Sequence, residues 1–301
     1  MNHDQSDADV DGIELPAIHE AANAASSRGQ KRYIGLSGLR LVSLVVAAFA
    51  GAVRLAIGSF DASGLILLVA FLVAALAEFA LIRFQPERDW YAGRAVAEST
   101  KTLAWRFAVQ GEPFGATLSP REAEALIRAR VAEVLKRGRD RINIGPGGEA
   151  AVTKSMLDLR GQSFVIRRNA YIAHRTEDQR AWYSQNAAKN EVRATRWRYG
   201  LLAGELGAVV VAAIMFGRDE SLDFAGVIAA LVAGGAGWLT LKQYSQLTSA
   251  YRVAAGELAL QSGILESVGE HDWSQAVADA EEAISREHTM WLASRGEEPL
   301  P

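Results

Sequence analysis

Four apolar runs interrupt an otherwise charged chain, and they come in two pairs. Residues 39–57 and 65–84 make the first pair, and residues 201–216 and 224–241 the second. A helix rises 1.5 Å per residue against about 30 Å of hydrocarbon, so each run is of the length that crosses a bilayer. The links within a pair are a few residues long, so each pair predicts a crossing, a tight turn and a return. The fold class expected is an all-α membrane protein, with two transmembrane helical hairpins (four spans) and long cytoplasmic helical extensions.

Between the pairs the pattern is polar and helical. Residues 90–109 are expected to continue the second span without a break. Gly111-Glu112-Pro113 ends that helix, because glycine tolerates a left-handed cap and proline cannot propagate a helix. Ser119-Pro120-Arg121-Glu122 restarts one, with Ser119 as N-cap, Pro120 at the first helical position and Glu122 closing a capping box. That helix runs to about Lys136. Residues 143–161 are glycine-rich and read as a loop, with or without a short strand. A polar helix from about Arg168 enters the third span, residues 241–265 are helical again, and residues 272–294 form a last helix stopped by Gly296. Hairpin followed by projecting helix therefore occurs twice, a weak repeat of architecture. The division expected is an acidic, disordered tail over residues 1–30, one unit over 31–160 and a second over 165–295.

Charge orients this pattern. The turn of the first hairpin carries only Asp61, and that of the second carries Arg218 against Asp219, Glu220 and Asp223. The hairpin bases carry Lys31, Arg32 and Arg40, then Arg83 and Arg88, then Arg193, Arg196 and Arg198, then Lys242 and Arg252. Basic residues concentrate on the cytoplasmic side of spans, so both termini and the middle segment are expected inside, in a bacterial inner membrane. The net charge of −3 over 301 residues gives no basic field for nucleic acid. The absence of cysteine excludes disulfides, thiolate metal sites and a cysteine nucleophile.

Candidate chemistry is sparse. Gly145-Pro146-Gly147-Gly148 lacks the lysine of a phosphate-binding loop and reads as a flexible link. The five histidines show no metal-ligand spacing, and no nucleophile–base order or carboxylate pair stands out, so neither an enzyme nor a cofactor nor a metal is expected. Two carboxylates fall deep in the spans, Glu78 and Glu205. Intramembrane carboxylates cost a few kcal/mol and face protein or a water path, so both are candidates to line a pore, or else to pair with an arginine. Glu78 shares a face with Ala70 and Ala74, and Glu205 follows Gly204 in the run Gly200, Gly204, Ala208, Ala212. Small residues every four let helices approach closely in lipid, which suits packing and a homo-oligomer. After the second span, Arg94, Glu98, Lys101 and Trp105 are spaced four, three and four. They form one helical stripe of alternating charge ending in an indole, either a solvated face or a docking surface in which Glu98 lies between Arg94 and Lys101.

The block around that stripe resembles the signature of the SLATT superfamily, the SMODS- and SLOG-associating two-transmembrane domains. Arg94, Ala95, Ala97, Glu98, Ser99, Lys101, Thr102, Trp105, Arg106, Phe107, Pro113 and Phe114 carry the resemblance. A run from residue 175 to 197, with Asp178, Gln179, Trp182, Tyr183, Asn190 and Trp197, is similar to the entry of a second such unit. Glu281, Glu282, Glu287, His288 and Trp291 resemble its C-terminal helix. The resemblance implies an oligomeric pore-forming effector of a bacterial antiphage conflict system, with Arg94, Glu98, Lys101, Trp105, Pro113 and Phe114 as a coupling or interface motif. Its partners would be membrane lipid, further copies of itself and a nucleotide-sensing or nucleotide-generating protein. A membrane-anchored scaffold is the alternative, and a small ion transporter using Glu78 and Glu205 a third reading.

Overall fold

The computed structural model describes residues 12–53, 56–57, 60–138, 151–216 and 224–293. Several sequence features fall outside these residues: the first eleven positions, Ser59, the Gly145–Gly148 run, the second hairpin turn over 217–223 and Gly296. The same holds for the side chains of Glu287, His288 and Trp291.

The described chain is helical almost throughout. Helix α1 spans Ala17–Ala52, and a two-residue antiparallel pair, β1 (Ala56–Ile57) with β2 (Phe60–Asp61), turns it into α2 (Ala62–Phe84). Then follow α3 (Pro86–Ala108), α4 (Pro120–Gly138), α5 (Lys154–Arg160), α6 (Phe164–Tyr171), a π-helical turn (Ile172–Glu177) and α7 (Asp178–Met215). The chain closes with α8 (Phe224–Lys242), α9 (Tyr244–Ser267) and α10 (Trp273–Ala293). Four of these helical stretches are long and apolar enough to cross a membrane.

Four expectations change. The first apolar run stays helical only to Ala52, and its end enters the β turn. Residues 17–30 are not a disordered tail but the first turns of α1, with Ile18, Ala22 and Ala25 buried. Their alanines and serines carry little hydropathy, yet their small size permits backbone contact. A Cβ on Gly93 of α3 would lie 2.7 Å from the Ser26 amide nitrogen and 2.9 Å from the Ala22 carbonyl oxygen. The second span does not run into α3, because Gln85 takes a left-handed conformation (φ 45°) and Pro86 opens a new helix. The residue before a proline is pushed out of the helical region, and proline fits the first position of the next helix. The glycine-rich loop contains α5, nucleated by Thr153, whose hydroxyl accepts from the Met156 amide at 3.4 Å. The Ser119 cap is as expected: α4 starts at Pro120, and the Ser119 amide donates to Glu122 at 2.9 Å.

Packing divides the described residues into two units that cut across the sequence halves. One gathers those of Met1–Gln30, Glu87–Ala187 and Ser249–Pro301, the other those of Lys31–Pro86 and Ala188–Thr248. The first has a continuous aromatic and aliphatic core that includes Trp105, Phe107, Phe114, Tyr171 and Trp273. In it α4 contributes Ala123, Ile127 and Val131, the one-face spacing of an amphipathic helix.

The second unit holds all four apolar runs. Its seams are glycines filled by neighbouring side chains. On α8, a Cβ at Gly234 would meet Val45 at 2.7 Å, and one at Gly237 would meet Leu41 at 3.0 Å. Trp238 stands over Gly38 of α1. Leu201 and Trp197 of α7 press on Gly235, and Val232 presses on Gly204. As numbers rise on one helix they fall on the other, so α1 and α7 each run antiparallel to α8. Small residues of this kind allow the close contacts that hold helices together where lipid offers no hydrophobic contrast.

Candidate functional site

Helix α3 is built to be clasped. Trp105 is fully buried and meets the Tyr171 ring edge-on, with centroids 5.9 Å apart. Tyr171 in turn meets Trp273 of α10 at 5.8 Å, and the Trp273 indole nitrogen donates to the Val109 carbonyl at 2.7 Å. The stripe that ends in Trp105 is therefore half charged surface and half core. Arg94 and Glu98 lie 3.9 Å apart, and half-buried Lys101 makes no ion pair with the described residues. Glu98 also acts electrostatically on Arg175.

Below the indole sits a buried charge hub. The Arg175 Nε donates to one Glu281 carboxylate oxygen at 2.8 Å, and its Nη2 donates to the other at 2.7 Å. The Tyr171 hydroxyl donates to Glu281 at 3.0 Å and the Thr102 hydroxyl at 2.8 Å. Arg175 and Glu281 are 1 % and 0 % exposed, so both charges have left water. Burial works against ionisation of Glu281, but Arg175, Thr102 and Arg106 outweigh it and hold the carboxyl below its ordinary range. Burial likewise opposes the Arg175 charge, and Glu281 reverses that effect, so the guanidinium stays protonated. Burial, then the neighbouring Glu281 charge, push the Tyr171 phenol well up, so it remains a neutral donor.

A second arginine pins the segment after α3. The Arg160 Nη1 donates to the carbonyls of Phe107 and Phe114, each at 2.8 Å, and its guanidinium lies 4.9 Å from the Phe107 ring centre. Burial and the nearby positive charge of Arg167 push the Arg160 guanidinium down to about 10. Phe114 is buried edge-on against Phe107 at 5.8 Å, and the preceding Pro113 follows a cis peptide bond. The Glu112 amide donates to Ser274 of α10 at 2.9 Å, and the Arg106 Nη2 to Ala278 at 3.0 Å. The conspicuous motif residues thus serve as the surface on which α5, α6 and α10 close.

The π turn lies at the centre of this clasp. Buried positions step by four through Arg167, Tyr171 and Arg175, then slip by one to Thr176 before Tyr183 and Ala187. One extra residue in a turn is what π geometry accommodates. The slip lets Arg175 and Thr176 both turn inward.

In the apolar unit the two intramembrane carboxylates part company. Glu78 is paired with Arg40, so Arg40 turns to a partner instead of reaching for the interface. Glu205 is exposed and makes no hydrogen bond or ion pair with the described residues. A groove of about 400 Å³ runs between α7 and α8, lined by Arg196, Trp197, Gly200, Gly204, Val232 and Gly235 among others. The structure brings Trp105, Phe114 and the neighbouring Thr102 and Arg106 into one core; it leaves Arg94 and Lys101 at its edge. The sequence reading missed the roles of Tyr171 and Arg175; a helix otherwise polar that repeats large residues at 167, 171 and 175 was the available signal.

Two family models tile the chain. The SMODS and SLOG-associating 2TM effector domain 3 matches residues 16–168, and the SMODS and SLOG-associating 2TM effector domain 1 matches residues 171–291. Each match contains one apolar hairpin, and the junction falls in the last turn of α6, just before the π turn. No curated protein and no solved structure gives a significant match. The chain belongs to the SLATT family of two-transmembrane effector domains, with two such units in tandem.

Proposed function

We propose that this protein is an oligomeric effector that permeabilises the bacterial inner membrane when a nucleotide-sensing or nucleotide-generating partner signals infection. One observation carries the reading: two effector domains fill residues 16–291, and the four apolar stretches all fall within them. The family's association with SMODS and SLOG supports a nucleotide-linked partner. The basic residues at the hairpin bases support an orientation with both hairpin turns outside and the rest of the chain inside. In this scheme the buried hub is structural, and the half-buried Arg94–Glu98–Lys101 edge receives the partner.

Reconstitution tests the reading. Purified protein in liposomes loaded with a self-quenching dye is expected to release it, more steeply than linearly with protein density, because several copies build one path. Protein that is inserted by carbonate extraction yet releases no dye at any density would instead support the membrane-anchored scaffold.

A further inference from the structure

Glu205 stands on an exposed face of α7. α7 is widely exposed over its apolar part, Leu206, Val210 and Ile214 included, and within that surface Leu202, Glu205, Val209 and Ala212, with Phe216 directly after the helix, follow one another at intervals of three, four, three and four. That is the seam of a helix that packs along its length against another helix. Leu202 is 48 % exposed, Val209 65 % and Phe216 91 %. The side of α7 that carries Gly204 and Leu201 is already occupied by α8, so this seam is a separate surface.

The carboxylate decides what covers it. A charged group within a span is costly and faces protein or water. Glu78 meets that requirement within the chain through Arg40, whereas Glu205 does not. Lipid tails offer nothing to a carboxylate, and a soluble partner cannot reach into a span. A second copy inserted in the same direction carries its own Glu205 at the same depth. Cyclic association therefore brings carboxyl to carboxyl around one axis, where shared water hydrates them all.

We infer that α7 makes the contact between copies of this chain, through Leu202, Val209 and Phe216, with Glu205 turned to a water-filled axis that the copies share. The inference deepens the effector reading and rests on its assembly step. The natural absence of cysteine gives a clean test. Val209→Cys in the full chain, oxidised in native membranes, is expected to give a disulfide-linked species of twice the chain's mass. Phe79→Cys on α2, 63 % exposed in the single chain, is expected to give several-fold less. Adding Glu205→Leu to Val209→Cys should cut the yield several-fold, and adding Glu205→Gln, which keeps a polar side chain, should restore most of it. Val209→Cys that stays monomeric in protein resistant to carbonate extraction, that links to a protein of another mass, or that links no more than Phe79→Cys would overturn the inference. Unchanged linking in the Glu205→Leu background would remove the carboxylate from it. Cross-linking without dye release leaves this contact standing and sinks the pore; dye release without cross-linking does the opposite.

Discussion

Glu281 accepts from Arg175, Tyr171 and Thr102 with no exposure to solvent, which makes its removal a test of what the hub does. Taking away one member of a buried ion pair leaves the other charge uncompensated, at a cost of about 3–5 kcal/mol, whereas replacing both by apolar residues is often neutral. Arg175→Met alone should therefore lower the unfolding midpoint in detergent sharply, and Arg175→Met with Glu281→Leu should recover most of the loss. Additive losses would show that the two side chains are not one unit. The pH dependence has a definite sign. The Glu281 carboxyl is depressed in the folded protein, so its stabilisation is complete above the ordinary carboxylate value of about 4.3 and is lost as pH falls through the lower folded value. Stability should fall below about pH 4, and Glu281→Gln should flatten that slope. An unchanged slope in Glu281→Gln would move the acid sensitivity to other carboxylates.

At the scale of helices, α1 and α3 touch backbone to backbone. A side chain on Gly93 meets the Ser26 amide and the Ala22 carbonyl at under 3.0 Å, and neither can rotate away. Gly93→Val should part the two helices, with a large drop in thermal midpoint and new proteolysis before Gln30. Gly35, in the same α1, has nothing within 4 Å of its missing Cβ, so Gly35→Ala should stabilise by about 0.5–1 kcal/mol through helix propensity. Equal midpoints for the two variants would contradict the close contact. The same contrast explains what could be read from the sequence. The spans stand out because each is a sustained apolar run, and the Ser119 cap because its donor and acceptor are three residues apart. The first turns of α1 were missed because Ala and Ser report size, not hydropathy, and the close approach depends on Gly93, some seventy positions away. Pro86 did signal the break after α2, but the unbroken helical pattern on either side masked it. The hub joins residues 106 apart in sequence, a pairing that no local pattern encodes. The indole of Trp105 on a charged stripe left a solvated face and a docking surface both open in the sequence, and its burial against Tyr171 is visible only in the fold.

For the whole molecule, the tandem repeat leaves a signature in the backbone. Span α2 ends at left-handed Gln85, whose amide donates to Leu81, and span α8 ends at left-handed Gln243, whose amide donates to Leu239. Each is followed at once by a new helix, α3 or α9. Matching breaks at matching places indicate that each half redirects its chain where its second span ends, and this fixes the logic of a topology test. Thr117 and His271 are both exposed and belong to one packed unit, so a membrane cannot separate them. In the proposed orientation, single cysteines at Ser59 and Gly217 should react with an impermeant maleimide on intact cells. Thr117→Cys and His271→Cys should react only after the membrane is opened. The two internal positions must agree with each other whatever the orientation, because they share a core; a split between them would refute the unit itself. Labelling of both on intact cells, with Ser59→Cys and Gly217→Cys protected, would invert the chain. The Arg94–Glu98–Lys101 edge would then face outward, and a cytoplasmic nucleotide-linked partner could not reach it.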